Sequence, residues 1–179
     1  MTFHHIATHK FKSSMAAVSL AAAALLGTTF DASAELRRGE KSFGPRIGYC
    51  GANSSVMAGL TFQYSLSRVV RLAPEADVVF RNNDKDAISV ALNVQFPFGF
   101  EQDKVALYPF AGPTYVSWGL HNRNENKDVT THANRFGMNA GGGVEFRATS
   151  SLKLSLEGRY TFVKDYCGAQ VNLGIMFVF

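Results

Sequence analysis

At 179 residues, with a net charge of +4 and 18% charged residues, the chain has the size of one domain, and its basicity is too slight and too scattered for a nucleic-acid binder. The 16 Gly and 15 Phe fit many strands and tight turns, and no stretch holds the ~20 consecutive apolar residues of a membrane helix.

The chain opens with Lys10 and Lys12, then the apolar run Met15 to Gly27 (MAAVSLAAAALLG), then Ala32-Ser33-Ala34, a small-x-small site. This is the order of parts in a secretory signal peptide, and the apolar run is too short to span a bilayer. Residues 1–34 are expected to be a cleaved leader and residues 35–179 a single exported domain; the alternative is a buried N-terminal helix. Loss of Lys10, Lys12 and Asp31 lowers the charge from +4 to +3. His4, His5 and His9 fall in the leader, so no metal role is expected of them.

Eight stretches then alternate at period two, the spacing at which side chains reach opposite faces of a pleated strand. Lys41 to Cys50 is weakly patterned, with Phe43, Ile47 and Tyr49 opposite Arg46. Ser55 to Leu66 sets Val56, Leu60, Phe62 and Tyr64 against Met57, Thr61, Gln63 and Ser65. Val70 to Phe80 sets Leu72, Val78 and Phe80 against Arg71, Glu75 and Asp77. Asp86 to Phe98 sets Ile88, Val90, Leu92 and Val94 against Ser89, Asn93 and Gln95. Val105 to Trp118 has apolar residues on both faces, Leu107 and Tyr115 competing with Tyr108, Phe110, Val116 and Trp118, so its facing stays open. Arg135 to Ala148 sets Met138, Val144 and Phe146 against Asn139, Glu145 and Arg147. Leu152 to Val163 sets Leu154, Leu156, Tyr160 and Phe162 against Lys153, Ser155, Glu157 and Arg159. Residues 170–179 set Val171, Leu173, Ile175 and Phe177 against Gln170 and Asn172.

These runs exceed the soluble mode of about 5 to 6 residues and suit a tilted membrane span of about 9 to 11. The polar face carries charges of both signs: Arg71, Glu75, Asp77, Glu145, Arg147, Glu157 and Arg159. A sheet in lipid must close to pair its backbone, with its oily face outward. The expected fold is therefore all-β, an eight-stranded antiparallel up-and-down transmembrane β-barrel. These charges would neutralise one another in the lumen as a structural plug, since a barrel of about eight strands is just filled by its own side chains. Aromatic residues near strand ends, among them Phe98, Tyr108, Trp118, Tyr160, Phe162, Phe177 and Phe179, are expected to form interfacial girdles. Connections near residues 65–68, 98–103 and 148–151 are short, whereas Gly119 to Asn134 reads as a long polar extracellular loop. Pro45, Pro74, Pro97, Pro109 and Pro113 sit against the pattern, since each lacks a ladder N–H.

With its exported start, the block RFGMNAGGGVEFRATSSLKLSLEGRYTF (Arg135 to Phe162) and the ending QVNLGIMFVF, the chain resembles the small eight-stranded outer-membrane barrels of Gram-negative bacteria, the OmpA/OmpX-like barrels. The resemblance covers the whole exported part. It implies residence in the bacterial outer membrane, contact with lipid and lipopolysaccharide, and delivery by the barrel-assembly machinery, with Tyr160, Phe162, Phe177 and Phe179 as the assembly signal.

Closing the barrel would bring Cys50 and Cys167 to the extracellular end of one seam, where an oxidising compartment permits a disulfide. Strand parity places them on opposite faces unless Cys167 lies in a loop; two unpaired thiols are the alternative. His121, Asn122, Arg123, Asn124, Asp128 and His132 mark the long loop as the candidate contact surface for an extracellular ligand, and a solvated surface explains the two histidines without a metal. Ser117 and His121 are the nearest approach to a lipid-hydrolase set, but no acid partner is in view. The expected role is structural or surface-interacting, monomeric, non-enzymatic, and without cofactor or nucleic-acid partner. A soluble periplasmic ligand-binding barrel is the alternative, and a lipid-modifying enzyme a weaker one.

Overall fold

The computed structural model describes residues 38–52, 54–82, 85–100, 104–124, 127–164, 166 and 168–179. Its strands are β1 (Lys41–Cys50), β2 (Ser55–Ser65), β3 (Arg71–Asn82), β4 (Lys85–Gln95), β5 (Phe98–Phe100), β6 (Val105–Asn124), β7 (Lys127–Thr149), β8 (Leu152–Phe162) and β9 (Gly168–Val178). All pairings are antiparallel, and β4 and β5 both pair with β6. They are one wall element interrupted at Phe96-Pro97, so the wall has eight elements. The ladder of β9 with β1 joins the last element to the first and closes the barrel.

The alternation turns the apolar rows outward. Leu92, Leu156 and Ile175 are 46%, 49% and 46% exposed, while Glu157 and Arg159 on the opposite faces are 4% and 6% exposed. That inversion is what a sheet wetted by hydrocarbon requires. Outward aromatics gather at both ends of the wall. Phe43, Tyr64, Phe96, Phe98, Phe146, Phe177 and Phe179 lie toward the end that holds both termini of the sheet, while Tyr49, Phe80, Phe136 and Phe162 lie toward the other. Rings pair within the second band, Tyr115 with Phe136 and Tyr160 with Phe162, each at 4.8 Å between centroids.

Each proline falls at a break in one ladder, which is how the wall tolerates a missing donor. The β1–β9 register skips Gly44 and Pro45, the β2–β3 register skips Ala73 and Pro74, and the β4–β6 register skips Gly112 and Pro113. Pro97 marks the interruption between β4 and β5, where the Phe96 N–H donates to the Pro109 carbonyl at 3.0 Å. At the seam the strands run so close that a Cβ on Gly44 would lie 1.8 Å from the Ile175 carbonyl oxygen.

Three expectations need correction. The facing of the 105–118 strand resolves with Tyr108, Phe110, Val116 and Trp118 inward, so Tyr108 and Trp118, 1% and 6% exposed, are lumen residues rather than girdle residues. The stretch from 119 to 134 is a paired hairpin and not a loop: Gly119 stands opposite His132, His121 opposite Thr130, Asn122 opposite Val129, Arg123 opposite Asp128 and Asn124 opposite Lys127. An antiparallel ladder pairs its own backbone in water and needs no apolar row to do so. This hairpin runs on past the last β4–β6 pair, Lys85 with Leu120, and past the last β7–β8 pair, Met138 with Phe162. Finally, the fourth element is two strands, because Pro97 divides it.

Candidate functional site

The inner rows of the wall fill the lumen in three layers, the charges coming from β1, β3, β7 and β8 and the turn before β1. In the middle, Arg46 of β1 donates from Nε to Asp77 Oδ1 at 2.7 Å and pairs through Nη2 with Asp77 Oδ2. Its Nη1 reaches Glu75 Oε2 at 2.8 Å and Glu157 Oε2 at 3.4 Å. Arg159 of β8 reaches the same two carboxylates, at 2.6 Å each. Two guanidinium forks thus share three carboxylates, the planar geometry that arginine matches and lysine does not.

Toward the end holding both termini, Arg71 donates to Gln95 Oε1 at 2.6 Å and pairs with Glu145 at 2.8 Å. Lys153 lies 3.2 Å from Glu145 and 2.5 Å from Glu40, and Arg147 meets Glu40 at 2.8 Å. Burial alone would raise the Glu40 carboxyl, but Lys153 and Arg147 beside it hold it below its ordinary value. Tyr108 ties the two layers together. Its hydroxyl donates to Glu157 at 2.9 Å, and the Arg71 guanidinium lies 5.0 Å from its ring centroid. Arg159 sits similarly, 5.2 Å from the Phe110 ring. Across both layers five cations, Arg46, Arg71, Arg147, Lys153 and Arg159, meet five carboxylates, Glu40, Glu75, Asp77, Glu145 and Glu157. These ten groups carry no net formal charge, the condition under which ions can be kept out of water.

The third layer, at the hairpin end, is apolar. Cys50, Met57, Val79, Ala87, Val116, Trp118, Val163 and Tyr166 are buried together, with Ala52 and Ala133 packed against them. Trp118 stacks on Tyr166 at 5.3 Å between centroids. The Tyr166 hydroxyl lies 3.5 Å from Cys50 Sγ, and burial together with that thiol pushes it well above its ordinary pKa.

The seven charges singled out in the sequence all lie on the inner rows, six of them buried; the Arg147 side chain, 27% exposed, stands at the rim. Four partners were missed. Arg46 lies in the weakly patterned first strand, Lys153 stands on the polar face with no partner near it in sequence order, Tyr108 sits in the ambiguous strand, and Glu40 precedes the first strand. Only register brings them to the same place. Tyr160 is half-buried on the outer face, whereas Phe162, Phe177 and Phe179 are exposed there. Phe179 donates to the Lys41 carbonyl at 2.9 Å, tying the chain end to the first strand. Cys50 is a buried thiol; Cys167, and with it the candidate disulfide, lies outside the described residues. Ser117 and His121, four residues apart on the extended β6, have Cα atoms roughly 13 Å apart at about 3.3 Å per residue, too far for a nucleophile and its base to meet.

Comparison with known proteins agrees with this geometry. The family model described as outer membrane protein beta-barrel domain matches residues 13–179. Among solved structures, the N-terminal barrel of Pseudomonas aeruginosa OprF superposes with a TM-score of 0.62 at 15% identity, over 79% of this chain and 98% of that one. Neisserial surface protein A gives 0.64 at 15% over 79% and 97%, and Ail of Yersinia pestis gives 0.57 at 14% over 79% and 99%. At such identities the likeness is one of fold. No curated protein matches the sequence. A closed, outward-apolar barrel of eight wall elements, matched by that family model along most of its length, identifies the chain as a member of the outer membrane protein beta-barrel domain family, whose place is the outer membrane.

Proposed function

We propose that residues 1–34 are a cleaved export signal and that residues 35–179 form a monomeric, non-enzymatic surface anchor, delivered by the barrel-assembly machinery through Tyr160, Phe162, Phe177 and Phe179. On this reading the end bearing both termini of the sheet is periplasmic and the β6–β7 hairpin is extracellular. The lumen does not conduct: the ionic layers brace the wall from within and the apolar layer seals its outer end. The hairpin is the contact surface for an extracellular ligand, an envelope component or lipopolysaccharide, with His121, Asn122, Arg123, Asn124, Asp128 and His132 along it.

The observation that carries this reading is the contrast between a neutral, mutually paired interior and a ladder continuing beyond both neighbouring strands. Ail, a barrel of the same fold, has been crystallised in complex with the heparin analogue sucrose octasulfate, which supports a ligand-contacting role for this barrel. The test uses whole cells and the purified barrel. Protease added outside should cut within residues 119–134 and leave a protected core, unboiled protein from the outer-membrane fraction should migrate apart from boiled protein, and planar bilayers should show no steady conductance. Cleavage only after the outer membrane is opened would place the hairpin on the wrong side, and steady ion flow would remove the sealed lumen.

A further inference from the structure

Arg147 and Lys153 stand directly opposite each other on β7 and β8, facing the same way. Like charges opposed across a ladder repel and weaken the hairpin that carries them. Among the described residues of that hairpin, the carboxylate that reaches the pair is Glu145, and its contact is with Lys153 at 3.2 Å. The second carboxylate comes from the far end of the sequence. Glu40, just before β1, sets Oε2 2.8 Å from Arg147 Nη2 and Oε1 2.5 Å from Lys153 Nζ, and its side chain is 5% exposed. Its path is fixed by the backbone. Gly39, at φ +84, turns the chain, the Gly39 N–H donates to the Ser65 carbonyl at 2.8 Å, and the Glu40 carbonyl accepts from Ser65 N–H at 3.0 Å.

Between Glu40 and its two partners lies the whole of β9. The sheet runs β1, β9, β8, β7, so Glu40 reaches β7 and β8 only when β1 has paired with β9. That seam is itself incomplete, its register skipping Gly44 and Pro45.

From this geometry we infer that Arg147 and Lys153 form a carboxylate-binding socket at the mouth nearest the chain termini, which Glu40 occupies in cis as the latch of barrel closure. Before closure the β7–β8 hairpin relieves that repulsion only on one side, through Glu145 on Lys153. Closure delivers the second carboxylate, the one that also meets Arg147, so the socket biases the last pairing step toward the ring and pins the seam at its terminal end, before the ladder skips Gly44 and Pro45. The ligand class is a single carboxylate: the Arg147 guanidinium donates to both Glu40 oxygens and the Lys153 ammonium to one of them, a charge-assisted arrangement with a donor for each oxygen.

The test is refolding and unfolding of full-length mature barrel in detergent micelles, followed by the gel shift between folded and unfolded forms, for the parent, Glu40→Gln and Glu40→Ala. Glu40→Gln should raise the unfolding rate about tenfold, the order expected for loss of a charge-assisted contact. In Glu40→Ala, sodium acetate at the ionic strength of a sodium chloride control should restore part of that loss, whereas the parent should respond equally to both salts. In Glu40→Ala carrying Arg147→Gln and Lys153→Gln, acetate should act no better than chloride. Parent-like unfolding of Glu40→Gln would overturn the latch. Equal rates of Glu40→Ala in acetate and chloride would overturn the socket, leaving Glu40 a packing residue. If Glu40→Ala does not fold in chloride, folding in acetate supports the socket and failure in both salts overturns it.

Discussion

The two ends of the lumen are sealed by opposite chemistry. From the middle to the end near the chain termini, buried charges are matched one for one across β1, β3, β7 and β8 and the turn before β1. At the hairpin end the seal is Met57, Val79, Val116, Trp118, Val163 and Tyr166, with Cys50 and the Tyr166 hydroxyl as its polar contact. Both fill space, but they fail differently. An ionic layer stripped of one partner leaves a stranded charge, whereas an apolar layer stripped of one ring leaves a void.

The largest effect should come from the centre of the ionic region. Arg46→Ala leaves Asp77 without its guanidinium and Glu75 with Arg159 alone, and should lower stability by about 3 to 5 kcal/mol, measured by urea unfolding in micelles. Trp118→Ala should cost about 3 kcal/mol by cavity formation, with the midpoint falling by a similar amount at neutral and mildly acidic pH. If the two variants show the same pH dependence, the two ends are not chemically distinct. Acid should separate them further. Glu40 has its pKa depressed in the folded state, so its contribution is full above the unfolded carboxylate value and is lost as pH falls through the folded one. Parent stability should therefore decline below about pH 4, and the Glu40→Gln variant should lose that part of the acid limb in the same unfolding assay. The smallest effect belongs to the hairpin. Asn122→Ser, beyond the wall, should change stability by no more than about 0.5 kcal/mol; a larger shift would mean that the hairpin braces the barrel instead of standing on it.

Much of the wall was legible in the sequence because period two is a direct record of facing. Val56 to Tyr64, Ile88 to Val94 and Leu152 to Phe162 alternate cleanly, and each lies in the strand its alternation indicates. At β6 both faces are apolar, so alternation alone leaves the facing open. Tyr108 and Phe110 belong inside because their rings back Arg71 and Arg159, a reason that appears only when strands distant in sequence are adjacent. The hairpin leaves no such record for the opposite reason. Apart from Val129, every residue from His121 to Thr131 is polar, so its backbone pairing has no apolar period to announce it. The charge network was half visible. Alternation puts Glu75, Asp77, Glu157 and Arg159 on the inner rows, but the partner of Asp77, Arg46, lies 31 residues away, and that of Lys153, Glu40, lies 113 residues away.

Trp118 is the single tryptophan of the chain and is stacked inside the apolar seal. Its fluorescence therefore comes from one known place, with no second indole to blur it. Emission wavelength and access to a water-borne quencher become a direct optical gauge of whether the hairpin end is dry, readable with the purified protein in a micelle, in a vesicle or during refolding without any attached dye.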